Sequence, residues 1–210
     1  GLVFAYTAEG VFRTGVGQWE QAQLILHASE QVSERAADPQ GVELTHTLQG
    51  HLLHCVGEFE ASLELHERVR ASARSRGNHQ HECWSDLGMG RSQLDLGRPE
   101  AAAVSLQSAL RLAQEDKLAL QAAHGLLARC YVELSRLDDA IEHAEHAAKL
   151  LQGRPPVFIA LHADEGISAV REAQYRHTRY PQIKRHLLRA SRNLKRRAGA
   201  FPAMQPLALW

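Results

Sequence analysis

The sequence predicts an all-α fold, a solenoid of antiparallel helix pairs that repeats about every 40 residues. Three short segments share one pattern of a glycine, a bulky residue, an acid and a small residue: GQWEQA, GEFEAS and GRPEAA. Apolar residues recur at steps of three and four, as in AAAVSLQSALRLAQ, and no alternating strand pattern competes. A single helix pair cannot bury its apolar faces alone, so repeated pairs must stack on one another.

The four units share one register. Gly17, Gly57 and Gly97 are spaced by 40 residues, and Ser135, which opens SRLDDA, follows after 38. Glycine readily takes the backbone conformation that ends a helix, so we expect these four positions to be the turns inside the pairs. Three residues after each turn, an acid falls in the first turn of the second helix, where negative charge is favourable. These acids are Glu20, Glu60, Glu100 and Asp138.

Small residues flank each turn at fixed distances. Seven residues before it stand Gly10, Gly50, Gly90 and Ala128, and five residues after it stand Ala22, Ser62, Ala102 and Ala140. Small residues at matching heights let the two helices of a pair approach closely. We expect the loops between successive pairs to lie in three polar stretches, AADPQG, SRGNHQ and EDK.

This pattern resembles the tetratricopeptide (TPR) repeat, in a form of about 40 residues rather than the usual 34. The resemblance covers residues 1–152 as four helix pairs, and it implies a right-handed solenoid. It departs from the TPR pattern three residues after the first glycine, where an aromatic residue is usual. There the sequence has Leu53 and Gln93, and Tyr131 only in the fourth unit.

Residues 153–210 lose the tight register. After GRPP we expect a divergent pair of longer helices, one through VFIALHADEGISAVREAQYRH and one opened by Pro181. The closing RRAGAFPAMQPLALW looks like the passage that joins one TPR block to the next in multidomain bacterial signalling proteins with ATPase, nucleotidyl cyclase or kinase domains. We therefore interpret the chain as a fragment of a longer protein that includes the start of a further segment.

Composition limits the function classes. Hydrophobic residues make up 44% of the chain, enough for a packed interior. No apolar stretch approaches the roughly 20 residues that a membrane span needs, and no signal pattern opens the chain, so we expect a soluble, cytoplasmic protein with no membrane partner. Three widely spaced cysteines suggest structural thiols rather than disulfides.

Neither catalysis nor a bound metal or cofactor is predicted. The chain lacks a glycine-rich phosphate loop, GxSxG and HExxH. Its 13 histidines include the sets His79, His81 and Cys83, expected in a loop, and the helical pairs His143 with His146 and His51 with His54. Zinc needs three or four converging ligands, and none of these sets supplies more than three. We expect no metal, no cofactor and no enzymatic role for this fragment.

The candidate binding surface follows from the TPR resemblance, in which first helices line a concave groove and the residue after the first glycine points into it. Those residues are Val11, His51, Arg91 and Arg129, with His54 close by. The cations suit a carboxylate or an acidic peptide, and protonation of His51 below about pH 6.5 would add a third charge. Alternatively, each arginine pairs along its own helix, Arg91 with Asp95 and Arg129 with Glu133.

Charge is asymmetric along the chain. Residues 1–170 hold 14 Lys and Arg against 23 Asp and Glu, whereas residues 171–210 hold 10 against one. On the final helix, the basic residues Arg189, Arg192, Lys195 and Arg196 lie opposite an apolar stripe. We interpret them as a solvated face or one docked on the acidic body. Nucleic acid, bound through counterion release, is the less favoured alternative.

Together these observations predict a non-catalytic protein-interaction or regulatory scaffold module of a larger signalling protein. Its groove would bind a peptide, a protein or another domain of the parent chain. The alternative is a helical repeat that binds nucleic acid through its basic final helix.

Overall fold

A computed structural model describes residues 1–152 and 161–203. Within these residues the chain forms ten α-helices and no β-strand, which confirms the predicted all-α class. In chain order the helices are α1 Leu2–Gly15, α2 Trp19–Arg35, α3 Pro39–Cys55, α4 Phe59–Ser75, α5 His79–Asp95, α6 Pro99–Leu112, α7 Lys117–Glu133, α8 Leu137–Leu151, α9 Leu161–Thr178 and α10 Pro181–Ala198. The expected start of the helix that becomes α9, and the end of the closing segment, lie in residues 153–160 and 204–210, outside the described part.

The four predicted turns lie where the register places them. Gly17, Gly57 and Gly97 have φ angles of +79°, +91° and +70°, and Ser135 adopts the same left-handed region at +57°. After each turn, the next residue donates its backbone N–H to the carbonyl oxygen five residues earlier, at 2.8 to 2.9 Å. This hydrogen bond satisfies a carbonyl that the helix end would otherwise leave without a partner.

Side-chain caps begin the first helices of three units. The Asp38 carboxylate accepts the N–H of Gly41 at 3.0 Å, and the Asn78 side chain accepts the N–H of His81 at 3.2 Å. Asp116 accepts two N–H groups in the first turn of α7. Because these caps lie inside the polar stretches, the helices begin there and the loops are shorter than expected.

The small residues lie where the two helices of a pair meet. The Ser62 hydroxyl donates to the carbonyl oxygen of Gly50 at 2.8 Å, so these two small positions do face each other. A Cβ atom added at Gly10 or Gly90 would come within 2.5 Å of a leucine side chain on the partner helix. All four small positions on the second helices are fully buried: Ala22, Ser62, Ala102 and Ala140.

The first helices of successive pairs lie side by side. Helix α1 contacts α3, α3 contacts α5, and α5 contacts α7. We call the surface formed by α1, α3, α5 and α7 the first-helix face. The largest apolar cluster of the described residues is formed by side chains of α5 to α9 and includes Leu87, Leu106, Leu126 and Leu127. No helix in residues 1–152 and 161–203 is both long and apolar enough to cross a membrane.

Candidate functional site

Three neighbouring first helices bring the predicted groove residues together. His51 and His54 lie on α3, Arg91 and Asp95 on α5, and Arg129 and Glu133 on α7. The Asp95 carboxylate links all three helices, because it contacts the His54 Nε2 atom at 2.9 Å and the Arg129 guanidinium at 2.5 Å. These residues therefore form one charged cluster, joined across helices as well as along them.

Arg129 is surrounded by carboxylates. Besides Asp95, it pairs with Glu133 on its own helix at 3.2 Å, as the intrahelical alternative predicts. A third carboxylate, Glu165 of α9, lies 2.8 Å from Arg129. Burial alone would lower the pKa of Arg129, but the charges of Glu165 and Asp95 raise it. Arg129 is thus a permanent cation with its charge already compensated.

Arg91 is not the exposed cation that the predicted groove requires. Its residue is only 6% exposed, and its guanidinium interacts with the thiol of Cys55. The first helices pack closely enough here to enclose the side chain. Val11, the first of the four predicted groove residues, is exposed.

The histidines of this cluster stay neutral near pH 6.5, which corrects the expected third cation. Burial lowers the pKa of His51 well below its usual value, and the nearby His66 and Arg91 lower it further. Burial and the charge of Arg91 likewise lower the pKa of His54 to about 4, although Asp95 opposes the shift. Protonating either ring would place a second positive charge beside Arg91 in a poorly hydrated site.

His54 also belongs to a buried Ser–His–Asp chain. Its Nδ1 atom lies 3.3 Å from the Ser92 hydroxyl while its Nε2 atom faces Asp95, and Ser92 is within 3.0 Å of the Ser62 hydroxyl. Nucleophilic catalysis requires a hydroxyl that a substrate can reach. Ser92 and Ser62 are fully buried, so the chain of hydrogen bonds connects α3, α4 and α5 rather than serving a substrate.

His79, His81 and Cys83 lie on the first turns of α5, which corrects their expected place in a loop. The Asn78 cap starts the helix at His79. The His81 ring lies 3.0 Å from the buried carboxylate of Glu43, and Cys83 points into the core. The side chains of His81 and Cys83 therefore have different surroundings.

In the helical pair His143 with His146, and at His51 of the other pair, the rings contact other histidines. The His143 ring is within 2.9 Å of His124, nitrogen to nitrogen, and the His146 ring stacks on the same His124 at 4.8 Å. The His51 ring packs edge to face with His66. In the described residues, no group of three or more His, Cys, Asp and Glu side chains is arranged to hold a metal ion.

The predicted basic face lies on α10, and all four of its residues are exposed: Arg189, Arg192, Lys195 and Arg196. The opposite side of α10 packs on α9 through Leu194 and Ala198. Arg197, which the sequence did not single out, points inward and pairs with Asp164 of α9 at 3.3 Å. The four residues of the basic face are therefore exposed to solvent, whereas the neighbouring Arg197 contacts α9.

Sequence reasoning missed α9 as part of this site. Glu165, His162 and Gly166 approach the first-helix face, with the His162 ring 3.6 Å from Glu165. The only signal was the small acidic segment HADEG, which falls outside the repeat register. Charge pairing across 36 residues cannot be read from helical spacing, because it depends on where α9 packs.

The first-helix face also contains an apolar cavity of about 470 Å³ between α1, α3 and α5. Its lining includes Phe4, Val11, Leu48, Trp84 and, at the border with the charged cluster, His51. Phe4 is 73% exposed at the cavity mouth. A pocket of this size and lining accommodates one or two apolar side chains. No protein-family model matches this chain.

Proposed function

We propose that this chain is a protein-interaction module whose first-helix face binds a peptide segment or another domain of a larger signalling protein. The observation that carries the proposal is the apolar cavity, since it is an exposed concave site lined by three first helices. Exposed apolar patches rimmed by polar groups mark interaction sites. The ligand we propose inserts an apolar side chain there and directs an acid toward the charged cluster.

The proposal includes a right-handed, TPR-like solenoid. The repeated turns at fixed spacing and the side-by-side first helices support this arrangement. In such solenoids each unit contacts mainly its neighbours, which leaves an extended face for a partner. The TPR relationship, the signalling parent protein and the cytoplasmic location are predictions from the sequence.

Isothermal calorimetry with matched peptides tests the proposal. The panel consists of 12-residue peptides with Leu, Phe or Ser at one central position, each in an acidic and a neutral version. Phe4→Ala removes a side chain from the cavity mouth, and we expect it to weaken binding of the Leu and Phe peptides at least fivefold. Phe12→Ala is the matched control, because Phe12 is 63% exposed on the same helix and does not line the cavity.

Two results would contradict the proposal. One is that no peptide of the panel binds, and the other is that Phe4→Ala and Phe12→Ala both retain the affinity of the original chain. The acidic preference is tested separately with Arg129→Ala, which should weaken the acidic peptides more than the neutral ones. Arg136→Ala is its control, since Arg136 forms only an exposed pair with Asp139 among the described ion pairs.

The alternative, nucleic-acid binding, rests on the exposed basic face. Helix α10 contains seven Lys and Arg residues and no Asp or Glu. If this face binds duplex DNA, the affinity for random duplexes should fall steeply with salt, by about 0.9 logarithmic units per phosphate neutralised for each tenfold rise in salt. Replacing Arg189 and Arg192 by Ala should flatten that slope, whereas a flat slope in the original chain excludes this function.

A further inference from the structure

Helix α10 presents exposed cations that are not paired within the described part of the chain. In the helix pairs, arginine side chains commonly contact a carboxylate, as do Arg13, Arg70, Arg74, Arg76, Arg98, Arg129 and Arg136. On α10, the exposed Lys and Arg side chains form no ion pair with any described residue; they are Lys184, Arg185, Arg189, Arg192, Lys195 and Arg196. The outer side of α10 therefore carries positive charge that no contact compensates among these residues.

Three of these cations lie on one line along the helix. Arg189, Arg192 and Arg196 are separated by three and four residues, so their side chains lie on the same side of α10. Leu188, one turn before Arg192, is 45% exposed beside them. On the opposite side, Leu194 packs against α9. Because α10 is anchored through that apolar contact, the three α10 arginines are held outward.

Helix α8 carries a complementary row of acids. Asp138, Glu142 and Glu145 are exposed and are separated by four and three residues, so they also share one side of their helix. None of these three α8 acids forms an ion pair within residues 1–152 and 161–203, whereas the neighbouring Asp139 pairs with Arg136. Every α-helix rises about 1.5 Å per residue. Two antiparallel helices with these spacings therefore bring each α10 arginine opposite one α8 acid.

A similar row of acids on α4 is less available. Glu60, Glu64 and Glu67 have the same spacing as the α8 acids. Glu60 already pairs with Arg98 at 3.1 Å, and Arg68 follows Glu64 by one helical turn. Cations at such distances compensate an acid within its own chain. The α8 acids are therefore the better match for the α10 arginines.

We propose that the basic side of α10 binds the acidic side of α8 in a second copy of this chain. The α10 arginines lie opposite the α8 acids, with Leu188 inside the contact. The chain has a formal net charge of zero, so overall charge does not drive two copies apart. Exposed ion pairs contribute little individually, so the association is weak, salt-dependent and governed by how the charges align. This contact lies outside the apolar cavity and goes beyond the proposed function.

Sedimentation equilibrium of the full chain, at concentrations up to about 300 µM, tests the proposal. We expect self-association at 0.1 M NaCl that weakens at least tenfold at 1 M NaCl, because the screening length falls from about 10 Å to about 3 Å. Arg189→Glu combined with Arg192→Glu should weaken the association at least tenfold, and so should Glu142→Arg combined with Glu145→Arg. A chain with all four substitutions should regain the original affinity within threefold, because the charges have been exchanged.

Two further variants separate this contact from general electrostatics. Glu64→Arg combined with Glu67→Arg on α4 is the matched control, because it changes the net charge by the same amount as the reversal on α8. It should leave the affinity within twofold of the original. Lys149 is exposed one turn after Glu145 and continues the α8 row with a cation, so Lys149→Glu should strengthen the association at least threefold. Circular dichroism checks that each variant keeps its helices.

The inference is overturned if the original chain is monomeric at about 300 µM in 0.1 M NaCl, even if α10 then binds duplex DNA or anionic lipid vesicles. It is equally overturned if the chain with all four substitutions folds but does not regain self-association. A third contrary result is that the control reversal on α4 weakens association as much as the reversal on α8. Peptide binding at the apolar cavity is measured separately, so the proposed function can hold or fail independently of this contact.

Discussion

Substitution of His66 tests whether the helix pairs pack in the same way in each unit. Its ring is fully buried between α3 and α5, where Gly50 and Gly88 leave room for it, and a Cβ added at Gly50 would lie 2.6 Å from its Nε2 atom. Neither ring nitrogen has a hydrogen-bond partner among the described residues. The equivalent positions of the first and third units, nine residues after the turn, are Leu26 and Leu106. His66→Leu therefore restores the residue that the repeat uses elsewhere.

The expected gain in the free energy of unfolding at pH 7 is about 1–3 kcal/mol, the usual penalty of a buried polar group without a partner. In a chain of this size, each kcal/mol should raise the melting temperature by about 2–4 °C. Leucine fits beside glycine in the other units, so we expect little loss from overpacking.

The gain should increase in acid. Burial lowers the pKa of His66 from 6.5 to about 3, and the neighbouring His54 and Arg91 act in the same direction. Below pH 6.5 the unfolded chain takes up a proton at His66 that the folded chain refuses, so the folded state loses stability as the pH falls toward 3. At pH 5, which lies 1.5 units below 6.5, this amounts to about 2 kcal/mol, and His66→Leu removes it.

Urea unfolding followed by circular dichroism at pH 7 and pH 5 measures both effects. His186→Leu is the control, because it is the same substitution at a histidine that is exposed on α10. The reasoning is refuted if His66→Leu destabilises the chain at pH 7. It is also refuted if the stability difference between His66→Leu and the original chain is the same at the two pH values.

Five further substitutions, at four positions, test single elements of the fold by thermal unfolding. Ala102→Leu and Ala140→Leu should each destabilise the chain by about 1–3 kcal/mol, because both positions are fully buried at helix crossings, and unchanged melting temperatures would contradict this packing. Gly57→Ala should cost about 1–2 kcal/mol from backbone strain alone, since φ is +91° and no atom lies within 4 Å of the added Cβ; a neutral result would mean that the turn relaxes. Asp116→Ala should cost about 0.5–2 kcal/mol by removing the cap of α7, and Asp116→Asn should retain most of that stability.

The turns and pairings could be predicted because they depend on local chemistry. Gly57 takes a left-handed φ that other residues resist, and its spacing from Gly97 repeats the same unit. The burial of Ala102 follows from the same register, since a residue five positions after a turn must face its partner helix. The sequence alone therefore determined the helix pairs, the turns inside them and their small contact residues, whereas the first residues of α3, α5 and α7 lie in stretches that were expected to be loops.

The charged site depended on tertiary structure. Spacing along one helix predicted the contact of Arg129 with Glu133, which is present, but the contacts of Arg129 with Asp95 and Glu165 join different helices. Helix α9 lies outside the repeat register, so no periodic signal indicated that Glu165 would reach this face. Ion pairs between distant segments follow from how helices pack, and a pattern of single residues does not contain that information.

Burial likewise decided the chemistry of the histidines. In the sequence, His51 resembles any titratable histidine with a pKa near 6.5, whereas in the fold its burial and the charge of Arg91 keep it neutral. The sequence determined the helix pairs and the turns inside them, because the backbone conformation of a turn is local. Only the tertiary structure decided which charges are compensated and which surface is open, because solvation and pairing depend on every neighbour in space.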